Sequence, residues 1–288
     1  MSEPNQQPYM RVDDLHEHAA SSSDAPKKKK KRGKWLAFFV AIGILVVCAA
    51  IAGGQFFADT AHDGPFASGE KNVVMIDVKG EITAEGDTYN QQFILNQINE
   101  AKNDSDNKAI LLMLDTPGGS VYECDEVYNK LLEYKKETKR PIYAYCESMC
   151  ASAGYYIAST ADAIYANRNS LVGSIGVITG QFVDATQLLD DLGVKITTVH
   201  SGANKLMGAM YEAPTEEQIA IMQSISDEYY AQFVGVVADG RGMTTEQVKA
   251  LADGRIYSAS QAKGNGLIDE IGTIDDMDKH IKKEVGEN

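Results

Sequence analysis

Apolar and polar positions divide the 288-residue chain into three unlike parts. Residues 35–57, "WLAFFVAIGILVVCAAIAGGQFF", form an unbroken run without a charge, preceded by a polar segment. After the run, two rhythms alternate. "NVVMIDVKGEI" and "KAILLMLD" are short, nearly continuous apolar stretches, the pattern of strands buried on both faces. "NQQFILNQINEAKN", apolar at 93, 94, 95 and 98, and "SVYECDEVYNKLLEYKKE" have helical spacing. Past Pro141 come a short strand, "IYAYC", a helix-like "SAGYYIASTAD" and a second short strand, "ADAIYAN". "GSIGVITG" begins a further extended piece. Thr244, and Ser258 or Ser260, carry helix-start signals for the shorter units "TTEQVKALADG" and "SASQAKGNGLIDEIG". Strands alternating with helices predict an α/β domain with a parallel sheet and a helical periphery.

The uncharged run is long enough to cross a bilayer, since the twenty residues from Trp35 to Gly54 rise ~30 Å as a helix. A cleaved leader has a shorter apolar core nearer the start, whereas 34 residues precede this one, so a retained anchor is expected. Lys27–Lys31, Arg32 and Lys34 abut the span and keep that flank cytoplasmic. The expected layout is a basic cytoplasmic tail over 1–34, a single-pass anchor in the cell membrane over 35–57, a connector over 58–71 and an extracytoplasmic domain over 72–288. Residues 58–288 carry 19 basic and 36 acidic side chains, which argues against nucleic-acid binding.

Cys124, Cys146 and Cys150 are an odd set outside the span, so they make no complete disulfide framework. Without a second cluster or a neighbouring histidine they do not suit zinc, and no metal or cofactor is expected. Buried thiols are expected over a Cys146–Cys150 bridge.

Candidate chemistry gathers where strands end. Gly118 and Gly119, in "LLMLDTPGGSV", fit a turn that aims an N–H at a ligand, and equally a plain strand-to-helix turn. Ser152 opens "SAGYYIASTAD" among Ala151, Ala153 and Gly154; a nucleophile near helix N–H groups and a simple helix cap both fit. Cys150 or Ser152 with His200 are alternative nucleophile–base pairs. Lys205 carries the only charge between Ser201 and Tyr211, so it can act as a base if burial lowers its pKa, or be an exposed loop lysine. "SDNK", Ser105 to Lys108, matches a Ser-x-x-Lys pattern but lies in a polar connector without its companion motifs.

Taken in order, "LDTPGGSV", "MCASAGYYIASTADAIYANRNSLVGSIGVI", "HSGANK", "APTEEQ" and "ADGRIYSASQAKGNGLIDEIG" resemble the signal peptide peptidase A family, over about residues 72–276. The resemblance implies a crotonase- and Clp-like spiral of ββα units behind one transmembrane helix. It implies Ser152 as nucleophile, Lys205 as general base, Ser174 as the hydroxyl that orients the lysine, and an oxyanion hole from the N–H groups of Gly119 and Ala153. It implies a dome- or bowl-shaped homo-oligomer that cleaves remnant signal peptides and other short hydrophobic peptides. The family commonly has two glycines after its serine; Ala153 stands at the first and narrows the approach to the substrate's side chain. Near the lysine an acid is lost, and Ala259 replaces a usual glycine. An inactive, membrane-tethered peptide-binding scaffold of the same fold is the alternative, and a crotonase-type acyl-CoA enzyme a weaker third.

Overall fold

The computed structural model describes residues 72–286 apart from Glu85 and Asp87. The tail, the anchor over 35–57 and the connector lie outside the described residues. No helix among the described residues is long and apolar enough to cross a membrane.

Strand β1 (Asn72–Lys79) leads through helix α1 (Gln91–Asn103) to β2 (Asn107–Thr116), and α2 (Val121–Thr138) leads to β3 (Ile142–Ala151). The short α3 (Ala153–Ala158), β4 (Ala163–Ala166) and β5 (Leu171–Gly173) follow. Beyond them are α4 (Thr186–Asp191), α5 (Glu216–Arg241), α6 (Thr245–Lys249), β6 (Ile256–Ser258), α7 (Ala259–Gly264), β7 (Glu270–Ile271) and α8 (Ile274–Val285). Among the described residues the sheet runs β1-β2-β3-β4-β7, with β5 branching from β3 to pair with β6. Every pairing is parallel except β5 with β6. The α/β class expected from the alternation is therefore the class observed.

The continuous apolar strands have the physical cause anticipated for them. On β2, Ile110, Leu112 and Leu114 enter the main core, while Ala109, Leu111 and Met113 enter a second core beneath α8. Strand β3 alternates likewise, with Ile142, Ala144 and Cys146 on one side and Tyr143 and Tyr145 on the other. Its first part pairs with β4 and its last three residues with β5. A register shift against β2 between Leu114 and Thr116 separates the two parts.

Two local expectations change. "GSIGVITG", expected to begin an extended piece, contributes only its first residue to a strand, since β5 ends at Gly173. Gly173 (φ +108°) and Ser174 (φ +52°) turn the chain away, and the Ser174 N–H donates to Arg255 O at 2.8 Å. The 26-residue α5 was not among the expected elements. Its start was nevertheless written in "APTEEQ": the Thr215 side chain accepts from the Gln218 N–H, and the Gln218 side chain accepts from the Thr215 N–H.

Candidate active site

Three turns at the C-terminal ends of parallel strands, where open α/β sheets bind ligands, build the site. The turn after β2 carries Gly118 and Gly119. Thr116 Oγ1 accepts from the Gly118 N–H at 3.0 Å, and the turn lies beside Ile82, whose N–H donates to Gly118 O at 2.8 Å. Both glycines are required. A Cβ on Gly118 would lie 2.6 Å from the Ser152 Cβ and 2.9 Å from the Ala153 nitrogen; one on Gly119 would lie 2.1 Å from Ile82 O.

The turn after β3 carries Ser152, at φ +51° and ψ −123°, a conformation costly for any residue with a Cβ. Its backbone is held at both ends: the Ser152 N–H donates to Gly173 O at 2.7 Å, and Ser152 O accepts from the Tyr156 N–H at 3.0 Å. The following helix is fixed in turn. Gly154 packs so tightly on Thr116 that a Cβ would approach its Cγ2 to 2.4 Å. The buried Tyr155 hydroxyl donates to Leu267 O at 2.7 Å. Ser152 immediately precedes α3, yet its side chain makes no capping hydrogen bond. From Cys150 to Thr160 it is the one residue that is not buried. The local arrangement thus removes the helix-cap explanation for this serine and leaves its hydroxyl facing a cavity.

Among the described residues, the backbone N–H groups of Gly119 and Ala153 take no acceptor. Both residues, with Ser152, line a cavity of about 60 Å³ whose other walls include Val121, Cys124, Tyr156, Val177 and Phe233. A second, wider cavity of about 620 Å³ shares Gly119, Ser152, Val177 and Ile178 with it and adds Ser174, Tyr230 and Asp253. Four of the five expected site residues, Ser152, Gly119, Ala153 and Ser174, therefore border connected space.

Lys205 does not join them within one chain. It is exposed in a turned segment whose backbone N–H donates to Gly202 O at 3.1 Å, and it lines neither cavity. Of the two readings of this residue, a buried base or an exposed loop lysine, the single chain shows the second: nothing lies within 4 Å of where a Cβ on Gly202 or Gly208 would sit. His200 is exposed in the same segment, its Nδ1 at 3.2 Å from Gly202 O, and it lines neither cavity either. Cys150 is fully buried with its thiol pushed well up by burial and by contact with Cys146, the opposite of a thiolate nucleophile. The three described cysteines are free and buried, as expected of packing thiols. No group of three or more metal-ligating side chains occurs among the described residues.

The pocket walls escaped sequence reading. Tyr229 and Phe233 come from α5, and Cys124 from the first turn of α2. Tyr156 is the most firmly held wall. Its ring centroid lies 5.1 Å from Tyr128 and 5.2 Å from Phe233, and its hydroxyl donates to Asp125 Oδ1 at 2.7 Å and accepts from Gln232 Nε2 at 2.7 Å. Burial and the Asp125 contact hold that phenol protonated.

A serine at a strained strand-to-helix turn, with two free N–H groups beside it, defines a nucleophilic-hydrolase type of site on a parallel α/β scaffold. The family model of peptidase family S49 matches residues 134–287, a span that contains Ser152, Ser174 and Lys205. The chain is 35% identical over 282 residues to a candidate signal peptide peptidase SppA of Enterococcus faecium, covering 87% of this chain and 80% of that protein. It is 34% identical over 181 residues to Protease 4 of Salmonella typhi, covering 62% of this chain and 29% of the other. With a chloroplastic serine protease SPPA of Arabidopsis thaliana it shares 30% over 198 residues, covering 68% and 29% respectively. It thus spans less than a third of the length of the last two relatives. The chain belongs to peptidase family S49.

Proposed function

We propose that the protein is a membrane-anchored serine endopeptidase that cleaves remnant signal peptides and other short hydrophobic peptides on the extracytoplasmic side. The single observation that carries this is the Ser152 turn, a partly exposed serine at φ +51° bordering a cavity with the unengaged N–H groups of Gly119 and Ala153. In this reading Ser152 Oγ attacks the peptide carbonyl and the two N–H groups receive the developing oxyanion. A neutral Lys205 takes the Ser152 proton and passes it to the leaving amine. Water, activated by the same lysine, then hydrolyses the acyl-enzyme. Ser174 orients the lysine, consistent with its place on the wider cavity beside Ser152.

Because Lys205 lines neither cavity in its own chain, we assign the base for each Ser152 to a second copy in a homo-oligomer. The segment bearing Lys205 also exposes Ile178, Leu188, Leu192, Ile196 and Val199, an apolar surface of the kind covered in assemblies. Mixing full-length Ser152→Ala and Lys205→Ala chains tests this. Each variant alone is inactive, and mixed oligomers recover a fraction of wild-type hydrolysis. No recovery in confirmed mixed oligomers contradicts a shared site.

The absence of both Lys205 and His200 from the Ser152 cavities of one chain favours a second reading, a peptide-binding scaffold without activity. A fluorophosphonate probe separates the two: labelling at Ser152 supports the enzyme, and no labelling supports the scaffold.

A further inference from the structure

Ser152 stands between two cavities of opposite character. The wide one is polar at Ser174 and Asp253 and includes only one of the two free N–H groups. The narrow one includes Ser152, Gly119 and Ala153 together, so it is the space next to the serine and both N–H groups. Its volume, about 60 Å³, is less than half of the roughly 150 Å³ that accepts a benzene ring in an apolar protein cavity. The walls carry no formal charge. Cys124 is held as the neutral thiol, pushed up to about 12 chiefly by burial, and its sulfur donates to Val121 O. The Tyr156 hydroxyl is already engaged by Asp125 and Gln232. Phe233 is buried against Tyr156, and the methyl group of Ala153 adds to the wall where a glycine would leave space.

We propose that this pocket receives the side chain of the residue whose carbonyl is attacked, and that it admits small aliphatic side chains, alanine to valine, while rejecting aromatic and charged ones. Cys124 and Phe233 set the limit as specificity-determining residues. The inference rests on Ser152 being the nucleophile, and it adds a substrate class to that reading: peptides cut after a small aliphatic residue. Flexible neighbouring subsites can be apolar without changing this choice, because only the narrow pocket adjoins both N–H groups.

The test uses the full-length protein in detergent micelles and a peptide series that varies only the residue before the scissile bond. Alanine and valine substrates are expected to exceed phenylalanine and tryptophan substrates at least tenfold in kcat/KM, the scale on which hydrophobic pockets discriminate. Phe233→Ala is expected to raise the phenylalanine-to-alanine ratio at least tenfold, and Cys124→Leu to depress valine more than alanine. Should Phe233→Ala fail to fold, Cys124→Ala supplies the widened pocket. Wild-type cleavage after phenylalanine as fast as after alanine overturns the pocket assignment. If Ser152→Ala is inactive in that same experiment, the protease reading survives and only the pocket assignment falls. Undiminished hydrolysis by Ser152→Ala overturns both.

Discussion

Ser152 adopts φ +51° because three neighbours leave its backbone no alternative: Gly173 O takes its N–H, the start of α3 takes its carbonyl, and the Gly118 backbone lies against its Cβ. That crowding makes Gly118 a sensitive position. Gly118→Ala places a methyl 2.6 Å from the Ser152 Cβ at a glycine with φ +101°, so the serine must shift. Hydrolysis is expected to fall by about 10²-fold or more, the usual result of misplacing a reacting group by an ångström; unchanged kcat/KM would refute the packing argument. The buried thiols give a second prediction, on stability. Cys124 is pushed up to about 12 and Cys150 is also raised, both chiefly by burial, whereas thiols of the unfolded chain ionise near ~8.5. Above that pH the unfolded chain sheds protons that the folded chain keeps, so it binds fewer protons and stability falls as pH rises. Melting temperature should therefore drop between about pH 8.5 and 11. A double Cys124→Ala, Cys150→Ala variant should show a shallower decline in the same scan, and an identical slope would count against the thiols.

Elements differed in how much of them the sequence disclosed. Strands β2 and β3 were legible because both of their faces are largely buried, β1 because its apolar residues pack on the same two cores, and α1 and α2 because each presents one apolar stripe at 3.6-residue spacing. Helix α5 was not, because its apolar residues serve two surroundings. Phe233, Val234 and Val237 enter the core, while Ile219 and Tyr229 remain partly exposed, so no single stripe runs its length. Its Thr215–Gln218 capping box was the available signal. Within the candidate site, Ser152, Gly119, Ala153 and Ser174 were reachable through ordered motifs. Cys124, Val177 and Phe233 were not, because a pocket wall is assembled from distant segments by packing. Two element-scale variants follow. Thr215→Ala removes the α5 cap and should cost about 1 kcal/mol in denaturant unfolding. Gly240→Ala would set a Cβ 2.0 Å from Ser159 O, forcing α5 away from the end of α3. It should destabilise the fold by more than the cap variant and lower hydrolysis as well, since Phe233 rides on α5; a milder effect than Thr215→Ala would contradict the tight α3–α5 contact.

At the scale of the whole molecule, the proposed reading has one chain supply the nucleophile, two hydrogen-bond donors and a pocket, and a second chain the base. This division implies that activity depends on assembly. Dilution or detergents that dissociate the oligomer should abolish hydrolysis, and Lys205→Ala should abolish it in the assembled state. Activity kept in Lys205→Ala and lost in His200→Ala would point to the histidine instead. The measurement that reaches the central claim most directly is covalent capture at Ser152 in the full-length protein. A fluorophosphonate should leave a single adduct on the peptide containing Ser152, seen by mass spectrometry, with hydrolysis lost in proportion, and Ser152→Ala should show neither adduct nor activity. A fully active Ser152→Ala chain, or an adduct on another residue that accounts for the inhibition, would contradict it.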